Sequence, residues 1–377
     1  MKKLLIVTNV DWFLISHRIG IVEKAVNEGY QVYVACKDTG RSNEIIATGA
    51  RFINLSYSRY GSNPILEGIA LLKFFRLYIS IRPDIVHHIT LKSILYGSLA
   101  SKILGIHGVL NAISGLGHTF TEQKDGPLNK ILLKLLRFSF NRDRVSFVMQ
   151  NQEDFKELNN LKLLSPKNKV YFTKGSGVDI SLFKSEKQLN DKSKVKILMS
   201  SRMLWDKGVD DLRKASEILE KDYRGMITFI LAGIADDDNS ESVPEEYLKD
   251  WESNGYVEWI GFQKNMVSVL ENSDIVVLPS YYREGMPKSL LEACSMSRPI
   301  ITTNSVGCKE CVENGINGLL VPIKSPKSLA AAIKTLVDDK SLRVNMGIES
   351  RRKAIEEFDV NVVIQKHLEI YESLLNK

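Results

Sequence analysis

Asp274-Ile-Val-Val-Leu-Pro279, followed by Ser280-Tyr-Tyr-Arg-Glu-Gly-Met-Pro-Lys-Ser-Leu-Leu-Glu-Ala-Cys294, is the stretch whose reading decides the fold. Its first run is short, apolar and β-branched, the pattern of a parallel strand buried on both faces. After a turn containing Gly285 and Pro287, Lys288 to Met296 reads as a helix. A strand followed so closely by a helix leaves the first helical N–H groups free to donate to an anion. Glu284 lies in the turn and Glu292 one to two turns inside the helix, so two carboxylates flank that point. The competing reading makes Glu284 a cap and Glu292 a solvated charge.

A nucleoside diphosphate sugar has the matching parts. Its sugar hydroxyls suit Glu284, its phosphates the helix start formed by Gly285, Met286, Pro287, Lys288 and Ser289, and its ribose hydroxyls Glu292. Further motifs follow: Arg298-Pro-Ile-Ile-Thr-Thr303, Gly307-Cys-Lys-Glu310 and Asn314-Gly-Ile-Asn-Gly-Leu-Leu-Val-Pro322. With Glu-Gly-x-Pro and Leu-Glu-Ala, these residues resemble the retaining glycosyltransferases of family 4, over nearly the whole chain and more strongly in its C-terminal half. The resemblance implies an α/β chain of GT-B fold, with two doubly wound parallel-sheet Rossmann-like domains facing across a cleft. The Gly-Cys-x-Glu variant is similar to the branch acting on polyprenyl-diphosphate-linked sugars in bacterial surface-glycan assembly, such as O-antigen or capsule. What it implies is a metal-independent, cofactor-free retaining transfer from a UDP-sugar to a polyprenyl-diphosphate-linked saccharide. The sugar is expected to be an N-acetylhexosamine. Two rivals stand beside this reading, a UDP-sugar epimerase of the same architecture and a non-catalytic nucleotide-sugar-binding subunit.

The 377 residues exceed the size at which one core keeps growing, so two domains are expected. Charged content of 25% with 44% hydrophobic residues is that of an ordinary globular protein, and no run reaches the length of a membrane span. Met1-Lys-Lys-Leu-Leu-Ile-Val-Thr8 begins like a signal peptide, but Asn9 and Asp11 interrupt it, and it reads as the first strand. Cys36, Cys294, Cys308 and Cys311 are too scattered for a disulfide framework, which favours a cytoplasmic chain. The Cys308-x-x-Cys311 spacing has no second ligand pair for a metal. Through residue 190 there are 26 Lys and Arg against 15 Asp and Glu; the remainder has 25 against 30. A basic first half suits an anionic membrane leaflet or lipid-linked acceptor. Nucleic acid is disfavoured because no reading motif or interleaved aromatic pattern accompanies the charge.

Apolar runs at Leu4 to Thr8, Val32 to Cys36, Ile85 to Ile89, Val109 to Ile113 and Val145 to Met149 alternate with helical segments. A second series comprises Val195 to Met199, Thr228 to Ala232, Val257 to Ile260, Asp274 to Leu278, Ile300 to Thr303 and Leu319 to Pro322. The polar run Lys184 to Lys194 between them reads as a linker. The expected division is therefore 1–185 for the acceptor domain, 186–359 for the nucleotide-sugar domain, and 360–377 for a helix returning to the first.

Arg202 and Lys207 follow the first strand of the second series, where fixed cations stabilise the charge that develops on a departing diphosphate. The resemblance implies the same role for both. Asp236-Asp-Asp238 offers metal-binding chemistry but continues into a polar loop and reads as solvated. Gly233 and Gly261 follow strands at the expected base site, and Glu310 reads as a structural or distal contact, as similar loops in the family shape the cleft rather than react.

In the first half, relatives place a histidine after the fifth strand. Here Ser114 and Gly115 stand nearest, with Gly117 and His118 just beyond, and His118 is the candidate catalytic imidazole. Asn9, His17, Arg18 and Lys92 are candidate acceptor contacts, although Arg18 could instead cap a helix or pair with an acid. His87 and His88 alternate along one strand, so at least one faces the core or a domain contact. Pro127 to Phe140 reads as an amphipathic helix with Lys130, Lys134 and Arg137 on one stripe and Leu128, Ile131, Leu132, Leu135 and Leu136 as apolar surface. It suits either a membrane interface or the core with a solvated basic stripe. The expected location is the cytoplasm, peripheral on the inner leaflet.

Overall fold

The computed structural model describes the whole chain except residues 59–62, 117–126, 186–193, 237–238, 254 and 377, and the side chains of 127–129. Two compact units divide it: Met1–Ser176 with Asn361–Lys377, and Gly177–Val360.

The first unit contains seven parallel strands: β1 (Lys3–Val10), β2 (Gln31–Lys37), β3 (Arg51–Asn54), β4 (Ile85–Ile89), β5 (Gly108–Ile113), β6 (Val145–Met149) and β7 (Lys169–Phe172). Between them run α1 (Asp11–Asn27), α2 (Ser42–Ile46), α3 (Pro64–Ile81), α4 (Leu91–Ile103), α5 (Pro127–Phe140) and α6 (Gln152–Asn160). The sheet order β3-β2-β1-β4-β5-β6-β7 reverses direction between β1 and β4. The five inner strands coincide with the expected apolar runs; β3 and β7 are additional, each four residues long with exposed residues at both ends. Helix starts follow local chemistry. Asn63 Oδ1 accepts from Ile65 N ahead of Pro64 at the start of α3, and Asn151 Oδ1 accepts from Asp154 N at the start of α6.

The second unit has β8 (Val195–Ser200), β9 (Ile227–Ala232), β10 (Val257–Gly261), β11 (Ile275–Leu278), β12 (Ile300–Thr303) and β13 (Gly318–Val321), all parallel, in the order β10-β9-β8-β11-β12-β13. Its helices are α7 (Val209–Tyr223), α8 (Glu245–Glu252), α9 (Met266–Glu271), α10 (Lys288–Ser295), α11 (Pro326–Asp338) and α12 (Lys340–Glu357). The chain enters this unit at Gly177, nine residues before the expected boundary. Val178 N donates to Phe358 O, Phe183 is buried in the core, and Arg351 donates to Ile180 O and Phe183 O. Burial of those apolar side chains, rather than the charge run after them, sets the boundary.

The last helix, α13 (Val360–Leu375), belongs to the first unit. Leu368, Ile370, Tyr371 and Leu374 are buried against β1, β2 and α1 residues, and Gly20 of α1 leaves the room taken by Ile364. Under this helix lies a polar interior. His87 Nδ1 meets Tyr371 Oη at 2.7 Å, and His367 Nδ1 donates to Val363 O at 2.7 Å. His88 Nδ1 donates to Asn111 Oδ1 and its Nε2 accepts from Tyr78 Oη, both at 2.7 Å. All three imidazoles are fully buried, so desolvation disfavours their protonated forms.

Burial pushes His88 down to about 4 and His367 to about 3, with His87 also lowered. In the unfolded chain these groups take up protons near their ordinary pKa of 6.5, so stability is complete above that pH and falls as pH drops toward 4. Each group contributes up to about 1.4 kcal/mol per pH unit in that window. Residues 177–360 contain no histidine. Hydrogen exchange at pH 7.5 and 5.5, corrected for intrinsic rates, should show protection lost selectively in the first unit. Equal loss in both units would contradict the assignment.

Candidate active site

The carboxyl ends of β8 and β11 are neighbours on either side of the point where strand order reverses in the second sheet, which is where open α/β sheets bind ligands. Lys207 follows β8 and Glu284 follows β11. The Lys207 ammonium and the Glu284 carboxylate form an ion pair, with side chains 11% and 13% exposed. Ser280 Oγ stands 3.1 Å from both Glu284 Oε1 and Asp206 O and donates toward them. Tyr281 N and Tyr282 N donate to the same Asp206 carbonyl at 3.0 and 3.2 Å, and the Tyr282 ring centroid lies 5.2 Å from Lys207 Nζ. The turn after β8 is therefore bonded to the turn after β11 through backbone as well as charge.

Arg202 pairs with Asp236, Nη1 to Oδ2 at 2.5 Å, and Ser242 Oγ accepts from Asp236 N at 2.9 Å. The first acid of the Asp236-Asp-Asp238 run thus holds the guanidinium rather than facing water; residues 237 and 238 lie outside the described residues. Gly233 sits at φ 146°, where a Cβ would stand 1.8 Å from Ser201 O, so only glycine lets the β9 turn pass against the β8 turn. Its N–H donates to Gly261 O at 2.8 Å, and Trp259 Nε1 donates to Gly233 O at 2.8 Å.

Gly307 makes the other close approach. At φ 89° its missing Cβ would lie 1.6 Å from Gly285 O and 2.7 Å from Glu284 O. Glu310 Oε2 accepts from Gly307 N at 2.6 Å, which gives the Gly-Cys-x-Glu motif a structural job: it shapes the loop that braces the Glu284 turn. Thr303 Oγ1 and Ser305 Oγ both donate to Ser280 O, bracing the same turn from β12. Cys308 and Cys294 are buried thiols pushed up to about 12 by desolvation, and among the described residues no cluster of metal-ligating side chains is present.

Met286 is 6% exposed, and Pro287 precedes α10 without a side-chain cap. Lys288 and Ser289 occupy the first turn. Glu292 is not a solvated charge. Its side chain is 12% exposed, burial raises its carboxyl above the ordinary range, and Lys288 Nζ at 3.6 Å draws it back.

The expected acceptor residues are differently disposed in the first unit. Asn9 Oδ1 accepts from Tyr57 Oη at 3.0 Å and Thr90 Oγ1 at 2.5 Å, joining the ends of β1 and β4 at their own reversal point. Lys92 pairs with Glu67 at 2.7 Å. His17 stacks on Phe13 with ring centroids 4.4 Å apart. Arg18, the other candidate acceptor contact of α1, is buried. It is 3% exposed, burial lowers it to about 10, and the charge interaction that opposes this comes from Tyr371. Ser114 and Gly115, the latter at φ 103°, follow β5, whereas Gly117 and His118 lie outside the described residues. On α5, Leu133, Leu136 and Phe140 face the core, while Ile131, Leu135 and Phe138 are exposed beside Lys130 and Lys134. Arg137 leaves that stripe to donate to Leu161 O at 2.8 Å. No helix among the described residues is long and apolar enough to cross a membrane.

Ser280, Tyr282 and Trp259 have no site role in the sequence reading, yet each touches a candidate group directly. For Ser280 the signal was its place immediately after the β11 run; the other two depend on packing that no motif displays.

Gly307→Ala should destabilise the second unit by about 2 kcal/mol or more, since it adds a backbone clash to left-handed strain. Gly315, at φ 83° with open space around it, supplies the control. Gly315→Ala should cost only the strain, about 1 kcal/mol. Urea unfolding of both variants checks this, and equal losses would remove the bracing role of Gly307.

Residues 181–353 match the family described as Glycosyl transferases group 1, and residues 3–152 that described as Glycosyl transferase 4-like. The N,N'-diacetylbacillosaminyl-diphospho-undecaprenol alpha-1,3-N-acetylgalactosaminyltransferase of Campylobacter jejuni is 28% identical over 95% of each chain. The UDP-Gal:alpha-D-GlcNAc-diphosphoundecaprenol alpha-1,3-galactosyltransferase of Escherichia coli is 24% identical, over 93% of this chain and 91% of its own. Among solved structures, Anabaena HepE in complex with UDP aligns with a TM-score of 0.78 at 18% identity, covering 99% of this chain and all of HepE. WaaG, a glycosyltransferase involved in lipopolysaccharide biosynthesis, aligns at 0.75 with 14% identity over 97% of this chain and 99% of its own. With two parallel-sheet Rossmann-like units and both halves matched, the chain belongs to the family 4 glycosyltransferases of GT-B fold.

Proposed function

We propose that this glycosyltransferase moves a sugar from a UDP-sugar to a saccharide carried on a polyprenyl diphosphate, with retention at the anomeric carbon and without a metal ion. The observation that carries the reading is the arrangement of Arg202, Lys207 and Glu284 at the carboxyl ends of β8 and β11. As the bond to the nucleotide breaks, negative charge gathers on the leaving phosphate. A guanidinium and an ammonium already fixed there favour the transition state more than the bound substrate. The start of α10 adds backbone donors.

Glu284, oriented by Lys207 and Ser280, is assigned to the sugar hydroxyls and to the positive charge at the anomeric carbon. The acceptor hydroxyl attacks on the face the diphosphate leaves. The anomeric carbon–oxygen bond breaks with its electron pair passing to UDP, the new bond forms to the acceptor oxygen, and the acceptor proton passes to the leaving phosphate oxygen. Nearly buried Glu292 is assigned to the ribose hydroxyls, and the turns at Gly233 and Gly261 to the base.

UDP as the nucleotide is supported by the HepE complex, and the lipid-diphosphate acceptor by the names of the Campylobacter and Escherichia relatives. An N-acetylhexosamine donor follows the first relative; the second names galactose. In the first unit, Lys92, His17, Ser114 and Gly115 are assigned to the acceptor, with Asn9 holding the strand ends that present them. The exposed Ile131, Leu135 and Phe138 beside Lys130 and Lys134 support peripheral attachment to the cytoplasmic leaflet through α5.

Arg202→Ala and Lys207→Ala should each lower kcat about 100- to 1,000-fold. Unfolding midpoints measured alongside separate lost chemistry from lost folding. Proton NMR of the wild-type product should show the donor's anomeric configuration. Near-normal turnover in folded variants, or an inverted product, would overturn the proposal.

A further inference from the structure

At the amino ends of β1, β4, β5 and β6, the opposite edge of the first sheet from Asn9 and Ser114, the first unit has a half-open cavity of about 510 Å³. Lys2, Arg82, His107 and Arg144 line it, each from the residue or short turn preceding one of those four strands. The carboxylate in the lining, Asp84, already accepts from Lys3 N at 2.7 Å. Among the described residues, no hydrogen bond, ion pair or ring contact engages the side chains of the four basic residues. Arg82 and Arg144 also hold φ values of 51° and 58°, left-handed positions where glycine or asparagine is the easier residue. Arginine stands at both places in spite of that cost.

The same cavity has an apolar approach. Ile79 lines it and is 56% exposed, and it ends a stripe on α3 that runs Ile65, Ile69, Leu72, Arg76, Ile79 at helical spacing. Ile65, Ile69 and Leu72 are 74%, 46% and 57% exposed. Isolated exposed apolar residues need no explanation, but a contiguous stripe leading to unpaired cations does. α4 packs against both α3 and α5, so this stripe lies in the same helical layer as the exposed apolar residues of α5.

We infer that the Lys2, Arg82, His107 and Arg144 cavity receives the phosphate of an anionic phospholipid while the α3 stripe lies at the boundary between head groups and acyl chains. The shared chemistry is a phosphate anion, and the stripe selects the lipid source: a soluble phosphate would be satisfied by the cations alone, whereas a phospholipid presents anion and hydrocarbon together. The inference deepens the membrane-surface reading but rests on residues separate from α5 and from the donor site.

Flotation of the full chain with vesicles of phosphatidylglycerol in phosphatidylcholine, or phosphatidylcholine alone, tests it. Wild type should float with the anionic vesicles. Arg82→Glu/Arg144→Glu should lower the bound partition coefficient at least about ten-fold with an unchanged unfolding midpoint, and Ile69→Ser/Leu72→Ser should lower it too. Lys130→Glu/Lys134→Glu separates the two surfaces. Loss of binding there with full binding by Arg82→Glu/Arg144→Glu would overturn this inference and leave the α5 reading. The reverse result would uphold it and remove α5. Displacement by millimolar inorganic phosphate at constant ionic strength, with no effect of Ile69→Ser/Leu72→Ser, would make the cavity a soluble-phosphate site and overturn the lipid assignment. Sedimentation in which Ile69→Ser/Leu72→Ser converts a dimer to a monomer would give the stripe to a second copy of the chain and likewise overturn it.

Discussion

The ion pair between Lys207 and Glu284 is the interaction on which the second unit's site depends, because it ties together the two turns that leave the sheet in opposite directions. Each member is nearly buried, and a buried pair is worth keeping only where neighbours satisfy its remaining hydrogen-bonding capacity. Ser280 supplies one donor to Glu284, the Tyr282 ring lies against the ammonium, and the Asp206 carbonyl collects two amides from the opposite turn. Two glycines let the backbones come this close, Gly233 against the β8 turn and Gly307 against the Glu284 turn. A change at Gly307 would therefore move Glu284 without touching any charged group.

The first unit reaches a comparable order by other means. Asn9, Tyr57, Thr90 and Ser93 bridge the ends of β1 and β4 with neutral hydrogen bonds, and the return of α13 seals Arg18, His87, His367 and Tyr371 inside. Buried neutral imidazoles and a buried guanidinium are costly inventory for an interior. They give this unit a dependence on pH that the second, lacking histidine, does not share.

Much of the fold is legible in the chain because a parallel sheet covered on both faces demands near-continuous apolar strands. All six strands of the second unit and the inner five of the first carry that mark. β3 and β7 do not, since each is only four residues long, with an exposed residue at either end and only two partly buried residues between. The unit boundary was hidden for a related reason. Val178 and Phe183 lie in a short stretch where apolar and polar residues are mixed, and only their packing assigns them. Around the site, Arg202, Lys207, Glu284 and Glu292 could be named because strand ends are predictable places for polar groups to gather. Arg18 could not be placed: a cation two turns into a helix reads as exposed, and its burial depends on a helix more than 340 residues later in the chain.

The central claim is that the side-chain cations Arg202 and Lys207 after β8, not a divalent ion, hold the nucleotide diphosphate. Calorimetric titration of UDP into protein dialysed against excess chelator tests it most directly. The account predicts that wild type binds UDP with the same Kd with and without chelator, and that Lys207→Met, folded by circular dichroism, binds at least about ten-fold more weakly. Loss of wild-type binding in chelator, or an unaltered Kd in the variant, would contradict it.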